Sequence, residues 1–308
     1  MSRVEQRANN FYLDNQSLII ITNLHSKMNY SEITKSDKRF PKKLREIPDC
    51  PQKLYCIGNV DLFSKPIIAI VGSRKASEYG KIITKKFASY LASNGYVIAS
   101  GLAIGIDAQA HKSALSVEGY TIAVLGTGID EIYPASNKSL ADEILKKKGL
   151  IVSEFSPKTP FAKYNFPLRN RIIAGLSQAV IISEAAEESG SLITAKLACE
   201  YGREVFGVPQ NITNFNSHGV NDLIKGGANV LSSEGDLEEF FGAKGENKKI
   251  ASLSLEEREV FELITVEAMD FEQISKKSKL SADKLSAALV YLELKGLARC
   301  QSNVYFRC

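Results

Sequence analysis

Arg169 and Arg171 stand two residues apart in FPLRNRIIAGLS (166–177), directly ahead of an apolar run patterned like core. A guanidinium fork binds carboxylate or phosphate through two parallel hydrogen bonds, and Asn170 between them adds a donor and an acceptor. The segment is therefore either a helix start whose arginines pair with nearby carboxylates or part of an anion site. Tyr164 and Phe166 lie immediately upstream and Phe161 is close. Cations interleaved with rings suit single-stranded nucleic acid, whose phosphates need charge and whose splayed bases stack. The plainer alternative is core aromatics with surface arginines. Two residues subtend about 200° around a helix, so the arginines should not be equivalent. Arg169, nearer the helix N-terminus where anions are favoured, is expected to bind phosphate. Arg171, beside Ile172 and Ile173, is expected to pair within the fold.

Other turns could hold anions. GSRKAS (72–77) offers Gly72 for close backbone approach, a Ser73 hydroxyl and the Arg74 fork. SGLAIGID (100–107) places Gly101 ahead of a helix, GTGID (126–130) supplies a third turn, and ESGSLITAK (188–196) brings Gly190, Ser191, Thr194 and Lys196. Each alone is more often a tight connection than a ligand site; their coincidence carries the signal. There is no GxGxxG fingerprint and no GxxxxGK[ST] loop, which argues against dinucleotide chemistry and ATP hydrolysis. Asp107 and His111 are spaced i, i+4, a candidate general-base pair or half of a metal site whose simpler role is a local hydrogen bond at a helix start. The five cysteines form no CxxC pair, so neither a zinc site nor a disulfide framework is indicated. No cofactor or metal is expected.

These turns need a scaffold that gathers them. IIAIV (67–71), YVIAS (96–100), TIAVL (121–125), LIVSE (150–154), AVIIS (179–183) and EVFGV (204–208) read as strands buried on both faces, alternating with amphipathic helices. This is an α/β pattern, an extended Rossmann-like, doubly wound, mostly parallel sheet, in which ligands bind beyond the carboxyl ends of the strands. The expected domain spans 61–235. Residues 1–60 read as a short irregular lead-in, with three prolines in RFPKKLREIPDCPQKLYCIGN (39–59), and polar, Gly-containing 236–253 as a linker. Residues 254–308 restart with a capping box, Ser254 and Glu257. They continue as two helices with Ser281 as the second N-cap and end in the alternating ARCQSNVYF, a small winged-helix-like domain.

The 308 residues carry a formal net charge of +4, and 44% are hydrophobic, an ordinary globular composition. The N-terminus lacks the apolar stretch of a signal peptide and no window suggests a membrane span. A cytoplasmic protein without a membrane association is expected.

With these residues assembled, the chain resembles the DprA/Smf family of bacterial DNA-processing proteins. The matching pieces are IAIVGSRKASEYG (68–80), IASGLAIGIDAQAH (98–111), AVLGTGIDEIYP (123–134), FPLRNRIIAGLS (166–177), ESGSLITAKLA (188–198) and HGVNDLIKGGANVL (218–231). They fall in the family's order across the whole sheet domain. The resemblance implies a homodimer that binds single-stranded DNA, and duplex DNA more weakly. It further implies protection of incoming strands and loading of the recombinase RecA onto them in natural transformation. The family's basic pocket maps onto Arg74, Arg169, Arg171, Lys196 and Lys225, with Gly72, Ser73, Gly190 and Ser191 as phosphate-facing turn residues. Two departures stand out: the N-terminal helical region is reduced, and Pro209-Gln210 replaces the family's Pro-Gly. An enzyme of the phosphoribohydrolase type on the same sheet is the alternative, but Ala195-Lys196-Leu197 after Thr194 offers a cation and no acid, and a charged lysine cannot abstract a proton. Duplex readout through the tail is disfavoured because Lys284 is the only basic residue near its second helix start. The chain is therefore expected to be a binding protein and not an enzyme.

Overall fold

The computed structural model describes residues 30–241, 253–265, 269–301 and 304–307. Two compact units divide between Glu234 and Gly235. The first contains, in chain order, β1 (Ser31–Thr34), α1 (Lys42–Arg45), β2 (Lys53–Gly58), β3 (Ile67–Val71), α2 (Glu78–Ser93), β4 (Val97–Ser100), α3 (Ile106–Ser116), β5 (Thr121–Leu125) and α4 (Lys138–Lys146). It continues with β6 (Leu150–Ser153), α5 (Asn165–Leu176), β7 (Ala179–Ile182), α6 (Gly190–Glu200), β8 (Glu204–Gly207), α7 (His218–Lys225) and β9 (Asn229–Val230).

All nine strands form one sheet in the order β1-β2-β6-β5-β4-β3-β7-β8-β9. β3 to β9 run parallel, while β2 is antiparallel to both β1 and β6. The six apolar runs are the strands the sequence predicts. Every residue of β3, β4, β5, β6 and β7 is buried, as strands covered on both faces must be. Successive residues point to opposite faces. Ala69, Val97, Val124, Val152 and Val180 share one core with Ile172 and Ile173 of α5, Ala195 of α6 and Val220 of α7. Ala123, Leu125 and Ile151 face the other way, onto Ala108 and Leu115 of α3 and Ile144 of α4.

The chain winds outward from β3 to β6 on one side, then returns to place β7 on the other side of β3. α2 therefore leaves β3 toward one face while α5 reaches β7 across the other. Beyond the carboxyl ends of β3 and β7 the two connections diverge and leave a crevice, the usual ligand position in such sheets.

The segment expected as an irregular lead-in departs from that reading. β1 and β2 extend the sheet beyond β6, with Tyr55 paired to Ser153 and Gly58 to Leu150. The sheet unit thus starts well before residue 61. Leu54, Tyr55 and Cys56 are buried; Pro41, Pro48 and Pro51 punctuate the connection ahead of β2 without entering it. The expected linker also begins as helix, α8 (Glu234–Phe241), and its residues 242–252 lie outside the described residues.

The second unit contains α9 (Leu255–Leu263), β10 (Met269–Asp270), α10 (Phe271–Lys277), α11 (Ala282–Leu294), β11 (Ala298–Gln301) and β12 (Val304–Arg307). The Ser254–Glu257 capping box is formed, and a second one, Asp270 with Gln273, opens α10. Ser281 stands at the N-cap of α11 without a side-chain bond to the helix. β11 and β12 pair antiparallel as a wing, and β10 joins β12. Lys284 is paired with Glu256 at 3.3 Å. No helix among the described residues is long and apolar enough to cross a membrane.

Leu54 in β2 is fully buried, so Leu54→Ala is expected to lower stability by about 2–5 kcal/mol in denaturant titrations. An unchanged midpoint would show that this strand is not part of the folded sheet.

Candidate nucleic-acid interface

A cleft of about 880 Å³ opens at the carboxyl ends of β3 and β7. The GSRKAS turn forms one wall. The Ser73 amide donates to Glu184 O just beyond β7 (2.7 Å), and its carbonyl accepts from Ile106 at the start of α3 (3.1 Å). Its hydroxyl accepts from the Lys75 amide (3.1 Å). The fully buried Glu184 carboxylate accepts from the Ser77 amide (3.0 Å) and hydroxyl (2.8 Å). The strand end, the following turn and the next helix are thus tied together, which projects Arg74 and Lys75 outward. Both are exposed.

The opposite wall is the start of α6 with the loop before it. Ser189 caps the helix by accepting from the Ser191 amide (3.4 Å), and its hydroxyl meets that of Ser191 at 2.7 Å. Asn170 of α5 donates to Gly190 O at 3.1 Å, joining the two helices. Phe215 and Asn216 close the rim, where Asn216 donates to Lys75 O at 3.0 Å.

The third wall is aromatic. Tyr133, Phe161 and Phe166 pack with ring centroids 4.7, 5.4 and 5.5 Å apart. The Arg74 guanidinium lies 5.9 Å from the Phe166 centroid. Phe166 fits because the third glycine-rich turn has no side chain there: a Cβ on Gly126 would stand 2.8 Å from Phe166 Cδ1. GTGID itself contributes no lining residue; it makes room for the ring. Lys163 completes the cleft's exposed cations. Arg74, Lys75 and Lys163 have no carboxylate within ion-pair distance among the described residues.

The arginines of the opening motif differ, as their angular separation requires, but not in the expected way. Arg169 is only 4% exposed. Its Nη1 donates to Gly101 O at 2.7 Å and to Val124 O. These carbonyls project where β4 and β5 end, and a guanidinium satisfies both at once. Gly101 is needed for this contact, because a Cβ there would lie 2.3 Å from Nη1. Burial lowers the Arg169 pKa to about 10, against the attraction of Asp107, so the group stays charged at neutral pH. Arg169 therefore forms the cleft's floor rather than an outward phosphate ligand; strand-end carbonyls outcompete the weak pull of a helix N-terminus. Arg171 makes the internal pair expected of it, with Glu154 at 2.5 Å and Asp49 at 3.4 Å.

Asp107 does not bond His111. Its carboxylate accepts from the Gly101 amide (3.1 Å) and the Ala103 amide (3.4 Å). Burial raises its pKa, opposed by Arg169 and these amides. His111 instead meets Thr121 Oγ1 through Nδ1 at 2.6 Å. Thr121 gives its single proton to Ile98 O (2.6 Å), so Nδ1 must be the donor. Burial pushes His111 down to about 3, with the Arg169 charge adding to the effect.

The structure therefore gathers Gly72, Ser73, Arg74, Phe166, Arg169, Asn170, Gly190, Ser191 and Thr194 at one cleft. Gly101 sits behind Arg169, and Arg171 faces Glu154. Lys196 is exposed on α6 outside the lining, and Lys225 lies at the end of α7, paired with Asp222 at 3.4 Å. Sequence reasoning passed over Lys75, Lys163, Tyr133 and Phe215. Lys75 lies within GSRKAS and Tyr133 within AVLGTGIDEIYP, but no local signal marks either as cleft-facing; Phe215 belongs to a loop with no motif of its own.

Arg169→Ala is expected to lower stability by about 2 kcal/mol or more, since it leaves buried carbonyls and a buried carboxylate without their partner. Equal melting temperatures for this variant and wild type would overturn the structural role. His111 contributes stability in full above its ordinary pKa of 6.5, and that contribution is lost as pH falls toward about 3. His111→Asn, which keeps a donor toward Thr121, should flatten the acid side of the stability profile between those limits.

Residues 31–242 match the family model of DNA recombination-mediator protein A, and residues 245–302 match a DprA winged helix domain. Protein Smf of Synechocystis sp. is 44% identical over 235 residues, 73% of this chain. The chain spans 59% of the length of that protein and 56% of Protein Smf of Escherichia coli. The X-ray structure of DprA from Streptococcus pneumoniae superposes with a TM-score of 0.65 at 44% identity, covering 68% of this chain and 74% of that one. DNA processing protein A from Helicobacter pylori, whose structure concerns its single-stranded DNA binding mode, gives 0.63 at 36%, covering 69% and 95%. A family model that spans the whole sheet and relatives at this level of identity place the chain in the DNA recombination-mediator protein A family.

Proposed function

We propose that the cleft binds single-stranded DNA with little sequence preference. The observation that carries this reading is the alternation of Arg74, Lys75 and Lys163, which have no carboxylate partner among the described residues, with the rings of Tyr133, Phe161, Phe166 and Phe215 around one opening. Phosphates take the cations, and unstacked bases take the ring faces. In a duplex the faces are already stacked, so duplex DNA should bind more weakly and through phosphates alone. The buried Asp107 is held by backbone amides, which favours binding over hydrolysis at this site. Family membership extends the reading to protection of incoming strands and delivery to the recombinase RecA in natural transformation, by a homodimer.

Binding of labelled oligonucleotides across a salt series tests the cleft. Neutralising about three phosphates predicts a slope of log K against log salt near −2. The variant Arg74→Ala with Lys75→Ala should lose at least about tenfold in affinity and keep its melting temperature, because both side chains are exposed. Salt-independent binding, or a strict sequence requirement, would defeat the proposal. Light scattering of the protein with RecA and single-stranded DNA tests the recombinase step; no change in the assembled species on adding this protein would remove it.

A further inference from the structure

A second cleft, of about 480 Å³, lies at the opposite edge of the sheet, where Pro66 and Ile67 begin β3 and Gln178 precedes β7. Four lysines line it, Lys38, Lys42, Lys43 and Lys65, against one carboxylate, Asp61. All four are exposed, and none has a carboxylate within ion-pair distance among the described residues.

The lysines stand on a pinned scaffold. Asp37 accepts from the Arg39 amide (2.9 Å), Nε (3.1 Å) and Nη2 (2.7 Å), and its carbonyl accepts from Arg45 (2.8 Å). The turn that presents Lys38 is thereby closed. Phe40 and Leu44, 1% and 0% exposed, anchor the segment bearing Lys42 and Lys43 in the core. Lys43 O also accepts from Arg203 at 2.8 Å. The Lys65 ammonium sits 4.2 Å over the Tyr120 ring.

The chemistry favours an extended polyanion. Among the described residues no set of amides or hydroxyls converges on one point: the Ser64 hydroxyl is spent on Asp61 O at 2.7 Å. A compact phosphate would need such a cradle, whereas cations spread along a rim suit charges spread along a chain. A protein partner would want an exposed apolar centre, and lysine is depleted in such interfaces; here Phe63 and Leu176 at the floor are 9% and 2% exposed. No ring face is offered for a base to stack on, since Lys65 covers Tyr120.

We propose that this cleft is a second nucleic-acid site that holds the sugar–phosphate backbone without reading bases. It stands on its own residues, independent of the first cleft. Parallel strands of this length separate the two clefts by about 15 Å through the sheet, so a long strand can engage both and a very short one only the first.

The test compares single strands of about 5 and about 30 nucleotides on the full chain and on its Lys38→Ala, Lys42→Ala, Lys43→Ala triple variant. The long strand should bind the variant about tenfold more weakly, with a salt slope smaller by about 2, and the short strand should bind unchanged. An unaffected long strand overturns the proposal, as does an equal loss for both lengths. Competition by orthophosphate or a deoxynucleoside monophosphate at the lysines, with long-strand binding intact, would identify a small-anion site and likewise overturn it; polyglutamate competing in the same way would identify an acidic protein. Arg74→Ala with Lys75→Ala separates the two readings. If that variant binds the short strand normally, the first cleft is wrong while the lysine result stands.

Discussion

One buried guanidinium holds this cleft in shape. Removing a charge from water is expensive unless hydrogen bonds and opposite charge replace the solvent. Arg169 meets that condition with two strand-end carbonyls, Gly101 O and Val124 O, and with the field of Asp107. The contact fastens α5 to the ends of β4 and β5. It thereby fixes where Phe166 and Asn170, three residues before and one after, meet the cleft. Gly101 leaves space for the guanidinium and Gly126 for the Phe166 ring. Two of the glycine-rich turns thus serve the cleft from behind, by the volume they leave empty.

The basic residues divide by what satisfies them. Arg169, Arg171 and Arg203 are paired inside the fold with carbonyls and carboxylates. Arg74, Lys75 and Lys163 stand at the cleft without a carboxylate partner among the described residues, and Lys38, Lys42, Lys43 and Lys65 do so at the far edge. A cation already compensated gains little from a phosphate; an exposed, uncompensated one releases counterions and gains more. Net charge conceals this division. The formal +4 of the chain is small, yet exposed cations collect at both clefts.

Six of the seven parallel strands, β3 to β8, were legible because burial on both faces leaves an unbroken apolar run, and IIAIV or TIAVL admits little else. β1 and β2 were not. As the outer, antiparallel strands they are partly exposed, and prolines punctuate the connection between them. The turns that meet at the cleft were visible as Gly/Ser clusters at strand ends. Their division of labour was not, since lining residues and the residues packed behind them look alike in the chain. Lys225 and Lys196 were as basic as Lys75 and Lys163, and nothing local told which pair would face the opening.

The amino-acid order by itself determined the doubly wound architecture, the edge at which a ligand must sit, and the unequal roles of Arg169 and Arg171. Each follows from short-range periodicity, of two for strands and 3.6 for helices. Only the tertiary structure decided which arginine went inward. That choice rests on the carbonyls of Gly101 and Val124, 68 and 45 residues away in sequence, and becomes defined only when β4, β5 and α5 are packed together.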